Sequence, residues 1–236
     1  MQLTFANETH IDESVAILRQ YCPPEGYWGA FSGGKDSVVL HRLVELSGVA
    51  CDWHYNVTTI DPPELVRFIR QHYSHVAWER PKCTFYRLVE RRGFPTRRAR
   101  WCCTDLKERG GHGRWVITGI RAQESYMRQR RGLLERCKRD PSKTLVSPML
   151  RWTEQQVWTF IHAEGLPYCS LYDEGWKRLG CVCCPFENKV ARSMARWPGI
   201  WEQVRRAFHR RLAHETSEMH RLWHSADEAF AWWCKR

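Results

Sequence analysis

The stretch that decides the fold lies near the amino end of the 236-residue chain and has three parts in order. They are Tyr27-Trp28-Gly29-Ala30-Phe31, Ser32-Gly33-Gly34-Lys35-Asp36-Ser37 and Val38-Val39-Leu40-His41-Arg42-Leu43-Val44. The apolar run predicts a short buried strand, and the last part predicts an amphipathic helix. Two adjacent glycines allow a tight turn because they have no Cβ. The sequence therefore predicts a strand, a glycine loop (Ser32–Ser37) and a helix in succession.

This arrangement is typical of an anion site. The first amides of a helix point into the preceding bend, and the helix dipole favours negative charge there. Lys35 and the hydroxyls of Ser32 and Ser37 add hydrogen-bond donors, and Asp36 is expected to hold Mg²⁺ or to cap the helix. The lysine follows the glycines at once, so the pattern is not the Walker motif. We expect a phosphate chain in the loop, and an ordinary glycine turn is the alternative.

Short apolar runs alternate with helical patterns along the rest of the chain. Strands are predicted at 51–57, 76–78, 115–119 and from 145. Helices are predicted at 62–73, at 85–92 and from the capping box Thr153-Glu154-Gln155-Gln156 to about 165. This alternation predicts an α/β fold with a mainly parallel, twisted sheet that carries helices on both faces. Ligands of such sheets bind at the carboxyl ends of the strands, where Ser32–Ser37 and Gly119-Ile120-Arg121 would lie.

The chain length predicts one α/β domain with an appendage. We place the nucleotide-binding domain at residues 1–187 and a helical carboxyl-terminal extension at 188–236, where Trp201, Val204, Phe208 and Leu212 form an apolar stripe. No apolar run approaches the roughly 20 residues that a membrane span needs. The first residues lack the basic and apolar regions of a signal peptide, so we expect a cytoplasmic protein without a membrane partner.

Eleven cysteines in a chain of this kind indicate metal ligation or thiol chemistry rather than disulfides. Cys102 and Cys103 are adjacent, and Cys181 and Cys184 form a C-x-x-C pair. Two such pairs supply four ligands, and by spacing alone zinc and a [4Fe–4S] cluster both fit. Buried thiols without a metal are a third reading. The thiols that could replace one of these ligands are Cys83, Cys137, Cys169 and Cys183.

The net charge of +11 is concentrated in residues 87–139, which hold 16 Lys/Arg against 5 Asp/Glu. A basic block beside a nucleotide loop indicates a polyanionic partner, either a charged nucleotide or a nucleic acid such as DNA or tRNA. Solvated surface charge is the alternative. Thirteen tryptophans add flat faces on which bases could stack, although most large aromatic residues belong to cores.

Five segments, in this order, resemble the phosphoadenosine-phosphosulfate (PAPS) reductase family. They are Ser32–Ser37, Thr58–Leu65, Arg100–Lys107, Gly119–Ser125 and Tyr168–Pro185. The glycine loop is similar to the PP-loop of the N-type ATP pyrophosphatases, which split ATP between its α- and β-phosphates. The resemblance implies an adenine nucleotide α-hydrolase-like, Rossmann-like fold. It is strongest to small reductase-like proteins of bacteria and their phages.

The resemblance also assigns residues. The cysteine pairs of assimilatory adenylyl-sulfate reductases bind a [4Fe–4S] cluster, and Cys102, Cys103, Cys181 and Cys184 match them, which favours iron–sulfur over zinc. Gly119, Arg121 and Arg128 look like the basic part of the nucleotide pocket. With Ser32, Gly33, Gly34, Lys35, Asp36 and Ser37 they would bind ATP with Mg²⁺. Lys35, Asp36 and Arg121 are the expected catalytic residues.

Two departures from the reductases bear on activity. Reductases carry a nucleophilic cysteine in a carboxyl-terminal Glu-Cys-Gly-Leu/Ile-His segment, whereas this chain ends Ala231-Trp232-Trp233-Cys234-Lys235-Arg236. Reductases also tend to have an eroded PP-loop, and here the loop is whole. Both favour an enzyme that adenylates an acceptor with pyrophosphate release in a sulfur-transfer pathway, with a sulfur donor or partner protein.

Two alternatives remain at this point. One is a sulfonucleotide (APS or PAPS) reductase that uses Cys234 or Cys183 as its nucleophile. The other is a non-catalytic subunit that binds nucleotide and cluster.

Overall fold

The structure is a computed structural model that describes residues 5–213 and 222–235. It divides into two compact units. The sheet unit comprises Met1–Tyr55, Glu64–Glu79 and Gly110–Leu179, and the cysteine unit comprises Asn56–Pro63, Arg80–Arg109 and Gly180–Arg236. The boundary predicted at residue 187 stays a prediction.

The sheet has six strands in the order β3-β2-β1-β4-β6-β5. Their bounds are β1 Tyr27–Ala30, β2 Cys51–Asn56, β3 Ala77–Glu79, β4 Trp115–Ile117, β5 Leu134–Arg136 and β6 Thr144–Val146. Strand β1 is parallel to β2 and β4, and β4 is parallel to β6. The register sets Trp28 beside Asp52 on one side and Val116 on the other. Because β1 and β4 are parallel neighbours, the loops that follow them emerge at the same edge of the sheet.

Nine α-helices are described. They are α1 Phe5–Gln20, α2 Lys35–Ser47, α3 Pro63–His72, α4 Phe85–Arg92, α5 Tyr126–Gln129, α6 Glu154–Ala163, α7 Val190–Arg196, α8 Pro198–Leu212 and α9 Ala226–Cys234. The capping box at α6 is present, because Thr153 accepts from the Gln156 amide and Gln156 accepts from the Thr153 amide. The α/β fold with a mostly parallel sheet and carboxyl-terminal helices is thereby confirmed.

Strand β5 and helix α1 are among the elements of the described chain that the sequence patterns did not predict. Strand β5 is antiparallel to β6, and its sequence Leu-Glu-Arg is too short and polar to show a two-residue period. Helix α1 precedes the first strand and carries only a weak apolar stripe. The predicted extension to Arg236 includes residues 214–221 and 236, which lie outside the described residues.

Aromatic side chains form the core of the cysteine unit. Phe94 stacks on Phe208 of α8 with ring centroids 3.4 Å apart, and Trp233 of α9 donates its indole N–H to the Pro95 carbonyl. The predicted stripe of α8 is buried at Trp201, Val204, Phe208 and Leu212. Across residues 5–213 and 222–235, we find no helix with the length and apolar character that a membrane crossing requires.

Candidate functional site

The glycine loop joins β1 to α2 as predicted, and its geometry requires glycine. Gly33 has φ +70°, and a Cβ there would lie 2.7 Å from the Ile69 Cδ1 atom. Gly34 is the N-cap residue of α2 and provides no side-chain cap for the helix amides. The first turn of α2 therefore presents main-chain donors of the kind that bind anions.

Hydroxyl groups satisfy several of these loop donors. The Gly34 amide donates to Ser32 Oγ at 3.3 Å, and the Lys35 amide donates to the Tyr172 hydroxyl at 2.9 Å. Ser37 Oγ donates to the Gly34 carbonyl at 2.8 Å and lies 3.2 Å from Ser32 Oγ. The side-chain oxygens of Ser32 and Tyr172 thus lie where the oxygens of a bound anion would accept these hydrogen bonds.

Two cations and two carboxylates surround the start of α2. The Lys35 side chain is 5% exposed, and its Nζ lies 3.5 Å from Asp36 Oδ2 and 3.7 Å from Glu154 Oε1. It also donates to the Lys177 carbonyl at 3.4 Å. Arg121 is equally buried and donates its Nε to Asp36 Oδ1. Asp36 therefore bridges the two predicted catalytic cations and does not cap the helix.

Gly119 allows the segment after β4 to approach α2 closely. A Cβ at Gly119 would lie 2.9 Å from the Asp36 carbonyl oxygen. This contact explains how Arg121, two residues later, reaches the Asp36 carboxylate. The predicted convergence of Ser32–Ser37 with Gly119-Ile120-Arg121 at one edge of the sheet is confirmed.

Arg128 extends this positive region. It lies on α5 and pairs with Glu124. Burial first, and then the neighbouring guanidinium groups of Arg178, Arg131 and Arg121, lower the pKa of Arg128 to about 10. A group of cations that disfavour the charge of one member favours the entry of an anion. The role of Arg128 in a nucleotide pocket stays a prediction.

The basic block is more neutralised than its composition indicates. Residues 87–109 of the block lie in the cysteine unit and 110–139 in the sheet unit. Several of its arginines are paired with carboxylates, namely Arg92 with Asp105, Arg114 with Asp52, Arg121 with Asp36, Arg128 with Glu124 and Arg131 with Glu135. The prediction of a nucleic-acid partner therefore depends on the exposed remainder of the block.

In the cysteine unit, Cys102 and Cys103 begin a π-helical turn, Cys103–Lys107. The Cys102 thiol hydrogen-bonds to Cys103, and Arg100 Nη2 donates to Cys103 Sγ at 3.3 Å. These two donors lower the pKa of Cys103 to about 5, the thiol bond being the larger cause. The same hydrogen bond raises the pKa of Cys102. Of the two adjacent thiols, Cys103 therefore loses its proton more readily.

The C-x-x-C pair lies in electrostatic reach of the first pair. The charges of Cys103, Cys181 and Cys184 all raise the pKa of Cys102. Burial raises the pKa of Cys181 to about 11, while the nearby Lys107 ammonium opposes that rise. The Cys181 thiolate is in turn the main cause of the raised pKa of Lys107. The four predicted cysteines, hereafter the cysteine cluster, thus lie within electrostatic range of one another.

Within the part of the chain that the structure describes, the candidate ligands do not form a site for a single metal ion. All eleven cysteines are thiols, and in the described ranges 5–213 and 222–235 no group of three or more His, Cys, Asp or Glu side chains is arranged to hold a single metal ion. Of the substitutes, Cys83 and the buried Cys183 lie in the cysteine unit. Cys137 and the buried Cys169 belong to the sheet unit.

Sequence reasoning missed Tyr172 and Glu154 as members of the site. Tyr172 falls within the family-like segment Tyr168–Pro185, but nothing in that segment indicates a phenol against the glycine loop. Glu154 was seen only as part of the capping box of α6. Both come from residues more than 100 positions away, so only the tertiary fold reveals them.

A sequence model described as "Phosphoadenosine phosphosulfate reductase domain" matches residues 26–187. An uncharacterized protein of Methanocaldococcus jannaschii is 28% identical over 76% of this chain and 41% of its own length. An adenosine 5'-phosphosulfate reductase of Staphylococcus haemolyticus is 26% identical over 70% of this chain and 74% of its own. The chain spans less than half of the length of the two M. jannaschii relatives that it matches.

Solved structures share the fold at low identity. A PAPS reductase of Candida auris in a phosphate complex has a TM-score of 0.55 and 20% identity, over 77% of this chain and 97% of its own. An FMN adenylyltransferase of Candida glabrata in complex with FAD and inorganic pyrophosphate has a TM-score of 0.55 and 17% identity, over 75% of this chain and 64% of its own. At these identities the likeness concerns the fold.

Proposed function

The chain belongs to the phosphoadenosine phosphosulfate reductase domain family, and from that premise we propose that it is an ATP-dependent enzyme that adenylates an acceptor and releases pyrophosphate. The observation that carries the proposal is the intact glycine loop, with Lys35 buried beside its amides and Arg121 bound to Asp36. The adenylyltransferase with bound pyrophosphate, which shares the fold, supports the same chemistry.

The reaction would proceed by attack of an acceptor oxygen on the α-phosphorus of ATP. A bond forms between that oxygen and the phosphorus, the bond to the bridging oxygen of pyrophosphate breaks, and the electron pair leaves with pyrophosphate. Loop amides, Lys35 and the Arg121–Arg128 region would neutralise the departing charge. For phosphoryl chemistry, positioning and charge stabilisation supply most of the rate gain.

Asp36 is the carboxylate within the glycine loop that could ligate Mg²⁺, because carboxylate oxygens suit this ion. In the structure both of its oxygens face cations, Arg121 Nε and Lys35 Nζ. Binding of Mg²⁺ at Asp36 would therefore replace at least one of these two contacts. A bound Mg²⁺ supplies further positive charge to the phosphates.

The cysteine cluster fits a cysteine-ligated metal centre in the type and number of its donors. Cys102, Cys103, Cys181 and Cys184 would hold a [4Fe–4S] cluster, with zinc as the alternative. Arg100 and Lys107 supply positive charge beside the thiolates, which stabilises the deprotonated form that metals bind. When bound, an iron–sulfur cluster supplies one-electron chemistry and joins two distant chain segments.

A nucleic acid is the acceptor that the site's rim favours. Tyr126 and Met127 of α5 are 69% and 71% exposed, beside Arg128. The Arg130 guanidinium lies over the Tyr126 ring, 5.8 Å from its centroid. An exposed aromatic ring among arginines suits an unpaired base with its phosphates. An adenylated oxygen becomes a good leaving group, so a sulfur donor could then displace AMP.

A sulfonucleotide reductase is the second candidate, favoured by the similarity to the Staphylococcus reductase. It needs an accessible thiol as nucleophile. Cys183 is only 1% exposed, and Cys234 is half-buried at the end of α9. These positions support adenylyl transfer as the better proposal.

The test is anaerobic incubation with ATP and Mg²⁺, in which pyrophosphate release is measured without acceptor, with single-stranded DNA and with tRNA. A parallel reaction with APS or PAPS and thioredoxin measures sulfite. We expect pyrophosphate release that nucleic acid stimulates, and a loss on the order of 100-fold in Lys35→Ala. Sulfite without pyrophosphate would establish the reductase instead.

Lys143→Ala is the matched control for that variant. Lys143 is also a buried lysine of the sheet unit, and it pairs with Asp140 rather than with the glycine loop. We expect it to retain pyrophosphate release. Equal losses in both variants would mean that Lys35 acts through stability and not through the reaction.

A further inference from the structure

Tyr172 makes the contact at the glycine loop that the motif does not explain. Its hydroxyl accepts the amide of Lys35, the first residue of α2, at 2.9 Å. It also lies 3.4 Å from where a Cβ of Gly34 would stand. This is the place at which a phosphate oxygen would accept a hydrogen bond from a helix amide.

The ring of Tyr172 is held in this position from two sides. Trp158 of α6 packs edge-on against it, with centroids 5.1 Å apart and planes at 86°. The Lys35 ammonium lies 5.6 Å from the ring centroid. The backbone belongs to a short 3₁₀ turn, Ser170–Tyr172, whose last amide donates to the Cys169 carbonyl.

The Tyr172 hydroxyl is an uncharged hydrogen-bond acceptor at this position. Burial raises the pKa of Tyr172, so the group stays protonated in the neutral range. A phosphate oxygen carries charge, and charge-assisted hydrogen bonds are roughly twice as strong as neutral ones. A phosphate oxygen should therefore displace the Tyr172 hydroxyl as the acceptor of the Lys35 amide.

We propose that Tyr172 is a further residue of the nucleotide site. In the free protein its hydroxyl occupies the position of a phosphate oxygen, and that oxygen replaces the hydroxyl when nucleotide binds. The inference rests on the proposed function, since it assumes that the loop receives phosphate. Tyr172 then lowers nucleotide affinity by keeping the Lys35 amide satisfied in the absence of ligand. It acts on phosphate binding through the amide and takes no part in bond making.

The experiment is calorimetric titration with Mg²⁺-pyrophosphate and with a non-hydrolysable ATP analogue. Tyr172→Phe removes the hydroxyl and keeps the ring against Trp158 and Lys35. Because the free amide loses its internal partner, we expect both ligands to bind about three- to tenfold more tightly. Tyr168→Phe is the matched control, since Tyr168 also packs on Trp158 but bonds to Asp173; its affinities should not change.

Trp158 provides a second readout in the protein with Tyr172 intact. The emission assigned to Trp158, taken as the difference between the native protein and Trp158→Phe, should change when ligand displaces the tyrosine ring. Thermal unfolding of each variant shows that the fold is kept.

Weaker or unchanged binding in Tyr172→Phe would overturn the inference while the proposed function stands. So would a Trp158 emission that does not change when ligand binds. If neither ligand binds the native protein, the proposed function itself fails, and this inference fails with it.

Discussion

The glycine loop and the cysteine cluster resemble each other in being predicted sites, but they satisfy their polar groups in opposite ways. In the loop, neighbouring hydroxyls and carboxylates already bind the donors, from Ser32 at the Gly34 amide to Asp36 at Arg121. In the cluster, the thiols mainly perturb one another, so that Cys103 is stabilised as a thiolate while the pKa of Cys102 rises.

This difference indicates how each site should respond to its ligand. The loop is built from six consecutive residues between a strand and a helix, so its shape exists before nucleotide arrives. The cluster joins two segments separated by nearly 80 residues, which a bound metal centre would hold together. We therefore expect metal loss to affect the cysteine unit strongly, and changes in the loop to affect nucleotide binding.

The largest effect should come from removing a cluster thiol. Cys181→Ser is expected to take the protein from about four irons per chain to near none, because each cysteine of such a cluster ligates one iron. Anaerobic purification, an iron assay and visible absorption measure this. Affinity for the ATP analogue should stay within about twofold, since the glycine loop is intact.

Cys183→Ser serves as the control for the cluster because Cys183 lies within the same short segment but is not one of the proposed ligands. It should keep its iron. Iron retained in Cys181→Ser and lost in Cys183→Ser would exchange the two assignments, and stoichiometric zinc in the native protein would replace the iron–sulfur proposal.

A change within the loop should have a smaller and different effect. Gly33→Ala places a Cβ at positive φ against Ile69 and Leu65, which we expect to lower the free energy of unfolding by about 1–3 kcal/mol and to weaken nucleotide binding. Gly48→Ala has nearly the same φ, and no atom lies within 4 Å of its Cβ. It should cost about 1–2 kcal/mol and leave nucleotide affinity unchanged.

Urea unfolding and calorimetry of the two glycine variants separate backbone strain from loop packing. If both variants lose stability equally and bind nucleotide equally well, the contact with Ile69 is irrelevant. The loop would then be an ordinary turn, which is the alternative that the sequence left open.

The same contrast explains how much of the fold the sequence could predict. Strand β1, the glycine loop and α2 are contiguous, so local patterns were sufficient to predict them, and α4 was predicted at its observed bounds. Strand β5 and helix α1 have weak periodicity, and their positions are fixed by tertiary pairing and packing instead. A three-residue antiparallel strand is stabilised by β6 and not by its own sequence.

Within the candidate site, contiguous motifs were found and distant partners were not. The pairing of Arg121 with Asp36 follows from the parallel neighbours β1 and β4; the sequence predicted both strands, and the structure shows that they are adjacent. Tyr172 and Glu154 reach Lys35 through the fold of the chain beyond residue 150. The neutralisation of the basic block was also hidden, because charge counts do not show which arginines have carboxylate partners.

The smallest effect should come from substituting exposed aromatic residues near the glycine loop and in the cysteine unit, and it concerns the affinity for an oligonucleotide. Tyr126 near the loop and Phe186 in the cysteine unit are both exposed and both lie beside arginines. The arginines at Phe186 already donate elsewhere, Arg97 to the Pro185 carbonyl and Arg100 to Cys103. Tyr126→Ala should therefore weaken single-stranded oligonucleotide binding by about 1 kcal/mol, or roughly fivefold, and Phe186→Ala by less.

Fluorescence anisotropy with a labelled oligonucleotide at fixed salt measures these affinities, and Tyr126→Phe should bind like the native protein because its ring can still stack. The slope of affinity against salt should be the same in all variants, since no phosphate contact has been removed. A larger loss in Phe186→Ala than in Tyr126→Ala would move the acceptor surface from the sheet unit to the cysteine unit. No salt dependence in the native protein would remove nucleic acid as the acceptor, because phosphate contacts release counterions whichever aromatic residue stacks on the base.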